Sequence, residues 1–226
     1  MDFSLYSKEF INGDYQPDVA AYYFKLWDGF FMSTHRHNQV EIMYVIKGTC
    51  VVEAKDVKIN MKNNDFILID ANVPHRLIVE SDRPCRMLNL EFRFKPKDTA
   101  APTMKDLVNG SEYLKSFIKS AMDYVVVKDP DEVYSALKGV VMELERQNRD
   151  SMIISQLLVS EILLKTARLA VESGIGYEKS GSVYVKKALK FIHQNYDQAI
   201  SIEHIAKSVN IHPGHLHRTF KRYMGT

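Results

Sequence analysis

Short apolar runs separated by turn residues fill the first hundred positions of the chain. The runs at 41–46 and 49–53 flank Lys47 and Gly48, which are typical of a hairpin turn. Further runs of the same kind follow at 66–69, 76–79 and 85–92. Because β-branched and aromatic residues are dense here and helical periodicity is absent, the pattern predicts an antiparallel β-barrel or sandwich.

Helical periodicity begins after the polar stretch at 95–99. It predicts one helix over 111–127 and another over 131–148, with Asp129 and Pro130 as a start signal between them. A third helix over 153–171 has an apolar stripe wide enough to pack on a barrel and on a partner. The segment 174–182 is rich in glycine, serine and charge, so we expect a flexible linker there.

Three short helices are predicted beyond this linker. The first has helical spacing from Val185 and ends near 195–197, the second follows Ser201 as its N-cap, and the third begins at Pro213 with Leu216 and Phe220 on its apolar face. The segment 183–226 carries a net charge of +5, which leaves −3 for the remainder. A basic module on a mildly acidic body is typical of a nucleic-acid binder joined to a sensor, although a solvated lysine-rich helix face gives the same count.

Length and composition indicate an ordinary globular protein of two units. The chain has 226 residues, of which 46% are hydrophobic and 26% are charged. Its start has acids and no long apolar run, and no later stretch approaches the roughly 20 apolar residues of a membrane span, so we expect a cytoplasmic protein without membrane contact. Cys50 and Cys85 lie in strand-like runs, where free buried thiols are expected.

The C-terminal segment contains a Pro-x-x-Leu-x-Arg-x-Phe-Lys run from Pro213 to Lys221, which follows an Ile-Ala helix at Ile205 and ends near Gly225. This pattern resembles the first helix-turn-helix of the AraC family of transcription regulators. The resemblance implies that the helix from Pro213 enters the major groove of promoter DNA. The positions it assigns to base edges are Gly214, His217 and Arg218; those it assigns to phosphates are Lys221 and Arg222.

Arg218 is the strongest of these candidates, because a guanidinium can bind O6 and N7 of guanine with two hydrogen bonds. His215 is expected either to pack or to contact a phosphate. The family normally has a second helix-turn-helix joined by a long helix, and this sequence stops at Gly225 and Thr226, where that helix would start. We therefore expect either that the natural protein is longer or that this is a fragment. We also expect weak DNA binding, because one helix-turn-helix supplies only half of the phosphate and base contacts.

An N-terminal set of glycine, histidine and glutamate residues resembles the first cupin motif. Gly29, His35, His37, Glu41 and Gly48 have the spacing of that motif. On an extended chain the even offsets among 35, 37 and 41 place three side chains on one face, which in a barrel is the interior. His75 resembles the histidine of the second cupin motif, from a facing strand.

Three imidazoles and one carboxylate would suit zinc, manganese, iron or nickel. The alternative is that the same residues serve packing and the polarity of a metal-free effector pocket. Either way, we expect the four side chains to converge inside one barrel.

The sequence therefore predicts an α+β protein with four parts. They are a cupin-like antiparallel barrel at 1–100, a helical dimerisation region at 101–173, the linker at 174–182 and an all-α helix-turn-helix subdomain at 183–226. The leading hypothesis is a ligand-responsive, sequence-specific transcription regulator that binds promoter DNA and a small-molecule effector as a homodimer, and is not an enzyme. The alternatives are a metal-dependent cupin enzyme, such as a dioxygenase or isomerase, with an appended DNA-binding segment, and an effector-free dimeric regulator whose barrel is only a scaffold.

Overall fold

The chain divides into two compact units, with the boundary along the chain between Ser173 and Gly174. The computed structural model describes residues 3–146, 148, 150–175, 182–209 and 213–224. Most of the linker predicted at 174–182 lies outside the described residues. Among the described residues, no helix combines the length and the apolar character needed to cross a membrane.

The first unit contains two antiparallel β-sheets. Their strands are β1 (Tyr15–Trp27), β2 (Phe30–Phe31), β3 (Val40–Lys47), β4 (Thr49–Ala54), β5 (Val57–Lys62), β6 (Asp65–Ile69), β7 (His75–Val79), β8 (Cys85–Pro96) and β9 (Tyr124–Lys128). The order is β1-β8-β3-β6-β9 in one sheet and β2-β7-β4-β5 in the other. Both strands predicted around Lys47 and Gly48 are present, and Gly48 takes a positive φ of 98° between them. The predicted hairpin is wrong, however, because β3 pairs with β6 and β8 in one sheet whereas β4 pairs with β5 and β7 in the other.

An apolar core fills the space between the two sheets. Alternate residues of each strand contribute to it, because successive side chains of a strand point to opposite faces. Its buried members are Met43, Val45, Cys50, Val52, Met61, Ile67, Ile69, Val73, Leu77, Val79, Cys85 and Met87. Both cysteines are free and buried, as expected, and contact with Cys85 together with burial raises the pKa of the Cys50 thiol.

Helices supply the rest of the first unit. They are α1 (Lys8–Asn12), α2 (Met104–Gly110), α3 (Glu112–Ser120), α4 (Glu132–Arg146) and α5 (Ser151–Glu172). The start of α4 is held by Asp129, whose carboxylate accepts hydrogen bonds from the backbone N–H groups of Glu132, Val133 and Tyr134. The same carboxylate accepts the hydroxyl of Tyr44, so it ties the helix to the back of β3.

The single helix predicted over 111–127 is wrong. The chain instead forms α3, leaves the helix through Ala121 in a left-handed conformation, and enters strand β9. The run at 124–127 has one aromatic and three β-branched residues, and it pairs with β6 as the edge of the larger sheet. The region predicted to be helical therefore contributes a strand to the sheet, and α1 and α2 are further elements that the periodicity did not predict.

Where the structure describes the second unit, it forms three helices: α6 (Ser182–Gln194), α7 (Ile202–Ser208) and α8 (Pro213–Met224). Ser201 caps α7 as predicted, since its hydroxyl accepts the backbone N–H of His204 at 3.3 Å. A small core joins the helices through Ala188, Ala206, Val209 and Leu216, with Phe220 packed against it. Ala206 is small enough to let α7 pack closely on its neighbours.

Candidate functional site

One end of the space between the sheets carries a cluster of three histidines and a glutamate. Glu41 lies in β3 and is buried, and His75 opens β7 with only 1% of its surface exposed. His35 and His37 lie in the segment that precedes β3. The ring centroid of His35 lies 4.5 Å from that of His75, and the ring centroid of His37 lies 5.1 Å from it. The structure therefore brings the four predicted side chains together.

The geometric reason given for His35 and His37 is wrong. These residues do not belong to β3, and His35 is exposed at the opening of the cluster instead of lying in the barrel interior. His35 is held in place by a β-bridge to His75, in which each backbone N–H donates to the other residue's carbonyl, at 3.1 and 2.9 Å. Backbone pairing with His75 therefore determines the position of His35. Alternation of side chains along one strand does not.

The three imidazole rings share one orientation of their nitrogen atoms. Each Nδ1 lies near a backbone carbonyl: His35 near Ser33 at 3.3 Å, His37 near Gln39 at 3.2 Å and His75 near Val73 at 2.8 Å. Because a carbonyl oxygen can only accept, each Nδ1 carries a proton, and each Nε2 of a neutral ring presents a lone pair. This is the usual arrangement of histidines that bind metal ions.

Glu41 faces two of these lone pairs. Its Oε2 atom lies 3.3 Å from Nε2 of His37 and 3.0 Å from Nε2 of His75. The second contact lacks hydrogen-bond geometry, and Nε2 of His75 is buried without a hydrogen-bond partner. Oxygen and nitrogen lone pairs at this distance repel each other unless a proton or a metal ion lies between them. The cluster therefore requires positive charge at its centre.

The protonation equilibria follow from this geometry. Burial acts to raise the pKa of Glu41, but hydrogen bonds and opposite charge from the protonated forms of His37 and His75 outweigh burial and hold that pKa at about 2. The hydrogen bond to Glu41 raises the pKa of His37. In the absence of another cation, a proton on His37 compensates the Glu41 carboxylate.

Two neighbouring polar residues on β8 were not identified from the sequence. Nδ2 of Asn89 donates to Oε1 of Glu41 at 3.2 Å, which directs Oε2 toward the histidines. Glu91 is paired in register with Glu41 on the adjacent strand, and burial followed by the charge of Glu41 raises its pKa. The available signal was the sequence Met87-Leu88-Asn89-Leu90-Glu91, in which polar residues alternate with leucines inside an apolar strand.

The donor atoms form two overlapping groups with the spacing of a metal site. One group is His35, His37 and His75, and the other is His37, Glu41 and Glu91; within each group the donor atoms lie within 4.8 Å of one another. The tautomers and the buried, unpartnered Nε2 of His75 both fit a bound cation. These residues can therefore hold a divalent metal ion without a change of fold.

The predicted DNA-contacting face lies on α8. His217 and Lys221 are exposed and are one helical turn apart, whereas Leu216 is buried and Phe220 packs against the core of the second unit. Gly214, in the first turn, is half-buried. The side chains of His215, Arg218 and Arg222 lie outside the described residues.

Comparison with known proteins identifies both parts of the chain. Residues 22–91 match the cupin domain, and residues 192–226 match the bacterial regulatory helix-turn-helix proteins of the AraC family. The first match contains the histidine and glutamate cluster, and the second contains α7 and α8.

Individual relatives were also found. The melibiose operon regulatory protein of Escherichia coli (strain K12) is 25% identical over 212 residues, which cover 85% of this chain and 64% of that protein. Among solved structures, ToxT of Vibrio cholerae O395 covers 92% of this chain and 74% of its own at 12% identity and a TM-score of 0.39. A cupin protein of Bacteroides fragilis covers 40% of this chain and 75% of its own at 20% identity and a TM-score of 0.30. The chain thus spans just under two thirds of the curated relative that it matches.

Proposed function

Because the chain belongs to the AraC-type helix-turn-helix regulators and has a cupin domain on its N-terminal side, we propose that it is a ligand-responsive transcription regulator. The observation that carries this proposal is the division of α8 into two faces. Leu216 and Phe220 are used for packing, which leaves the face with His217 and Lys221 free to approach DNA.

Residues on the exposed face of α8 would contact both bases and phosphates. The 100° step of a helix places position 218 opposite Leu216 and Phe220, on the side of Gly214 and His217. Arg218 would then read guanine, while Lys221 and Arg222 would contact phosphates. His215 would support the phosphate contacts.

The histidine cluster would hold a divalent metal ion such as zinc, manganese, iron or nickel. His35, His37, His75 and Glu41 are the proposed ligands, and the Nδ1–H contacts with backbone carbonyls fix the tautomer that binding requires. When bound, the ion supplies the positive charge that Glu41 needs and a Lewis-acidic site for an oxygen-bearing effector. Asn89 would keep Glu41 in the binding orientation.

A small-molecule effector would bind at the open end of this cluster. His35 is exposed there, and the Tyr23 ring, which neighbours Asn89 on β1, is 48% exposed. Buried apolar side chains form the core between the sheets, so an effector would contact the polar cluster. For regulation, the effector must favour one arrangement of the DNA-binding units over another.

The regulator is proposed to act as a homodimer through α5. Leu157 is 46% exposed and Leu164, two turns along the same face, is half-buried. An exposed leucine on a helix that already buries its opposite face supports a second packing partner.

The histidine cluster also favours a second candidate, a metal-dependent cupin enzyme with an appended DNA-binding segment. A bound metal with an open coordination position serves hydrolysis, isomerisation or oxygen chemistry as readily as it serves sensing. The two candidates differ in what the bound compound changes: an effector alters DNA affinity and is recovered unchanged, whereas a substrate is consumed.

The proposal is tested by measuring metal content and DNA affinity on the same protein. The chain purified from cells is expected to contain about one divalent ion, by atomic emission, and removal of the ion with a chelator is expected to change its affinity for a DNA site selected from a random library. His37→Gln should lose the ion, and His193→Gln, an exposed histidine on α6, should keep it. Metal-dependent turnover of a compound that leaves DNA affinity unchanged would contradict the regulator and favour the enzyme.

A further inference from the structure

A basic groove lies at the end of the sheets opposite the histidine cluster. It has a volume of about 880 Å³ and is lined by Leu26, Lys47, Gly48, Thr49, Lys62, Asn63, Pro84, Arg86 and Lys128. Strand β3 runs from Glu41 in the cluster to Lys47 in the groove, a separation of six residues, or about 20 Å of extended chain. The groove is therefore a separate site.

Four cations line this groove: Lys47, Lys62, Arg86 and Lys128. All four are exposed, and none of them makes an ion pair with another described residue. Asp65 is paired in register with Lys128, and its carboxylate accepts the backbone N–H of Lys62. It makes no ion pair with any of the four cations.

The strand register brings two of these cations directly opposite each other. Lys47 on β3 is the cross-strand partner of Arg86 on β8. Like charges in this position destabilise a sheet, and a bound anion would remove the repulsion. The two side chains are therefore placed to hold one anionic group between them.

The groove also offers an apolar wall beside the charges. Leu26 on β1 is the partner of Arg86 on the other side and is 61% exposed. The guanidinium carbon of Arg86 lies 5.1 Å from the centroid of the Phe24 ring, so the two side chains make a cation–π contact. The apolar wall and the cations thus meet at Arg86.

The turns that form the groove are fixed to one another. The N–H of Gly48 donates to Oδ1 of Asn63 at 2.8 Å, which joins the β3–β4 turn to the β5–β6 turn. A Cβ at position 48 would lie 2.1 Å from the carbonyl oxygen of Pro84, so the same turn also packs against the start of β8. The backbone segments that carry Lys47, Lys62 and Arg86 are therefore joined to one another.

From this arrangement we propose that the groove binds a small organic dianion, a phosphate monoester or dicarboxylate with an apolar body. The charged group lies between Lys47 and Arg86, with Lys62 and Lys128 near it, and the apolar part contacts Leu26. The volume is within the range of small-molecule sites, roughly 300–1,000 Å³.

The test uses the full chain and two probes at constant ionic strength. Phenyl phosphate carries both the dianion and an apolar ring, and inorganic phosphate carries the charge alone. Isothermal titration calorimetry should show phenyl phosphate binding more tightly than inorganic phosphate. The double variant Lys47→Ala and Arg86→Ala should weaken phenyl phosphate binding about tenfold or more, because each charge-assisted contact is worth about that factor.

The matched control removes two exposed cations outside the groove, by Lys8→Ala with Lys119→Ala, and should bind as the parent does. A second groove variant, Lys62→Ala with Lys128→Ala, keeps the test informative if the first variant folds poorly. Equal binding by the parent and by a folded groove variant would overturn the proposal, as would the absence of binding at millimolar phenyl phosphate. Displacement of phenyl phosphate from the groove by random-sequence duplex DNA would assign the cations to DNA and overturn it too.

Discussion

Nε2 of His75 lies 3.0 Å from Oε2 of Glu41, and no hydrogen bond joins the two atoms. The Nδ1 proton of His75 is already donated to the carbonyl of Val73, so the ring presents its lone pair to the carboxylate. Both groups are buried, which removes water as a compensating partner. A proton or a metal ion between the two atoms relieves a contact that would otherwise be unfavourable.

Asn89 should control metal affinity without binding metal itself. Asn89→Leu removes the donor that orients Glu41, and loss of such a supporting hydrogen bond typically weakens metal binding about 10- to 100-fold. The measurement is a competition titration of zinc against a chromophoric chelator. Asn60→Leu, at an exposed position of β5, serves as the control. Unchanged zinc affinity in folded Asn89→Leu would show that Asn89 does not position Glu41.

The stability of the metal-free chain should depend on pH in two opposite ways. Glu41 has its pKa lowered to about 2, so its contribution is present above its ordinary pKa near 4.5 and is lost as the pH falls toward 2. His37 has a raised pKa, so its contribution is present below about 6.5 and is lost as the pH rises through the raised value. The pair should therefore stabilise the fold most between about pH 4.5 and 6.5.

Urea unfolding of the chelator-treated chain measures this dependence. Glu41→Gln should reduce the dependence of the free energy of unfolding on pH in both the acidic and the neutral range. At pH 5.5 the free energy of unfolding should fall by an amount on the order of 3 kcal/mol, because one pKa unit corresponds to about 1.4 kcal/mol. Glu112→Gln, an exposed carboxylate on α3, should leave the profile unchanged. An identical pH profile for Glu41→Gln and the parent would contradict the assigned pairing.

The proposed dimer interface makes a further prediction. Glutamate at both Leu157 and Leu164 should yield monomers, because two charges per chain would be buried at a packed helix face. Light scattering after size exclusion reports the mass, and Lys119→Glu on α3 controls for the change in charge. If the unmodified chain is already a monomer at high concentration, α5 is not a dimer interface.

Turns and helix starts were predictable from the sequence where nearby residues alone determine them. The turn at Gly48 and the helix starts at Ser201 and Pro213 depend on side chains within a few residues, and the structure confirms them. The hairpin pairing predicted around Gly48 is wrong, because β3 and β4 enter different sheets. Strand β9 was not predictable in this way, since a short continuous apolar run such as 124–127 does not distinguish a strand from part of a buried helix by its periodicity. Pairing with β6, more than fifty residues earlier, decides the outcome.

The histidine cluster was likewise predictable from the sequence only in part. The residue types and spacing of His35, His37 and Glu41 pointed to a common site, but a bridge to His75 and not a single strand places His35. Asn89 and Glu91 become part of the site only through the register that sets β8 beside β3, with Glu41 opposite Glu91. Register is a property of the folded sheet, and one sequence does not contain it in local form.

The most direct test of the regulator is sequence preference in DNA binding by the full chain. A site is selected from a random duplex library, and fluorescence anisotropy then compares that site with a scrambled duplex over a range of salt concentrations. We expect the parent to prefer the selected site, Arg218→Ala to lose the preference while remaining folded, and Lys221→Ala to weaken both duplexes equally with a salt slope lower by about one. Equal discrimination between the two duplexes by Arg218→Ala and the parent, or no preference in the parent, would contradict the account.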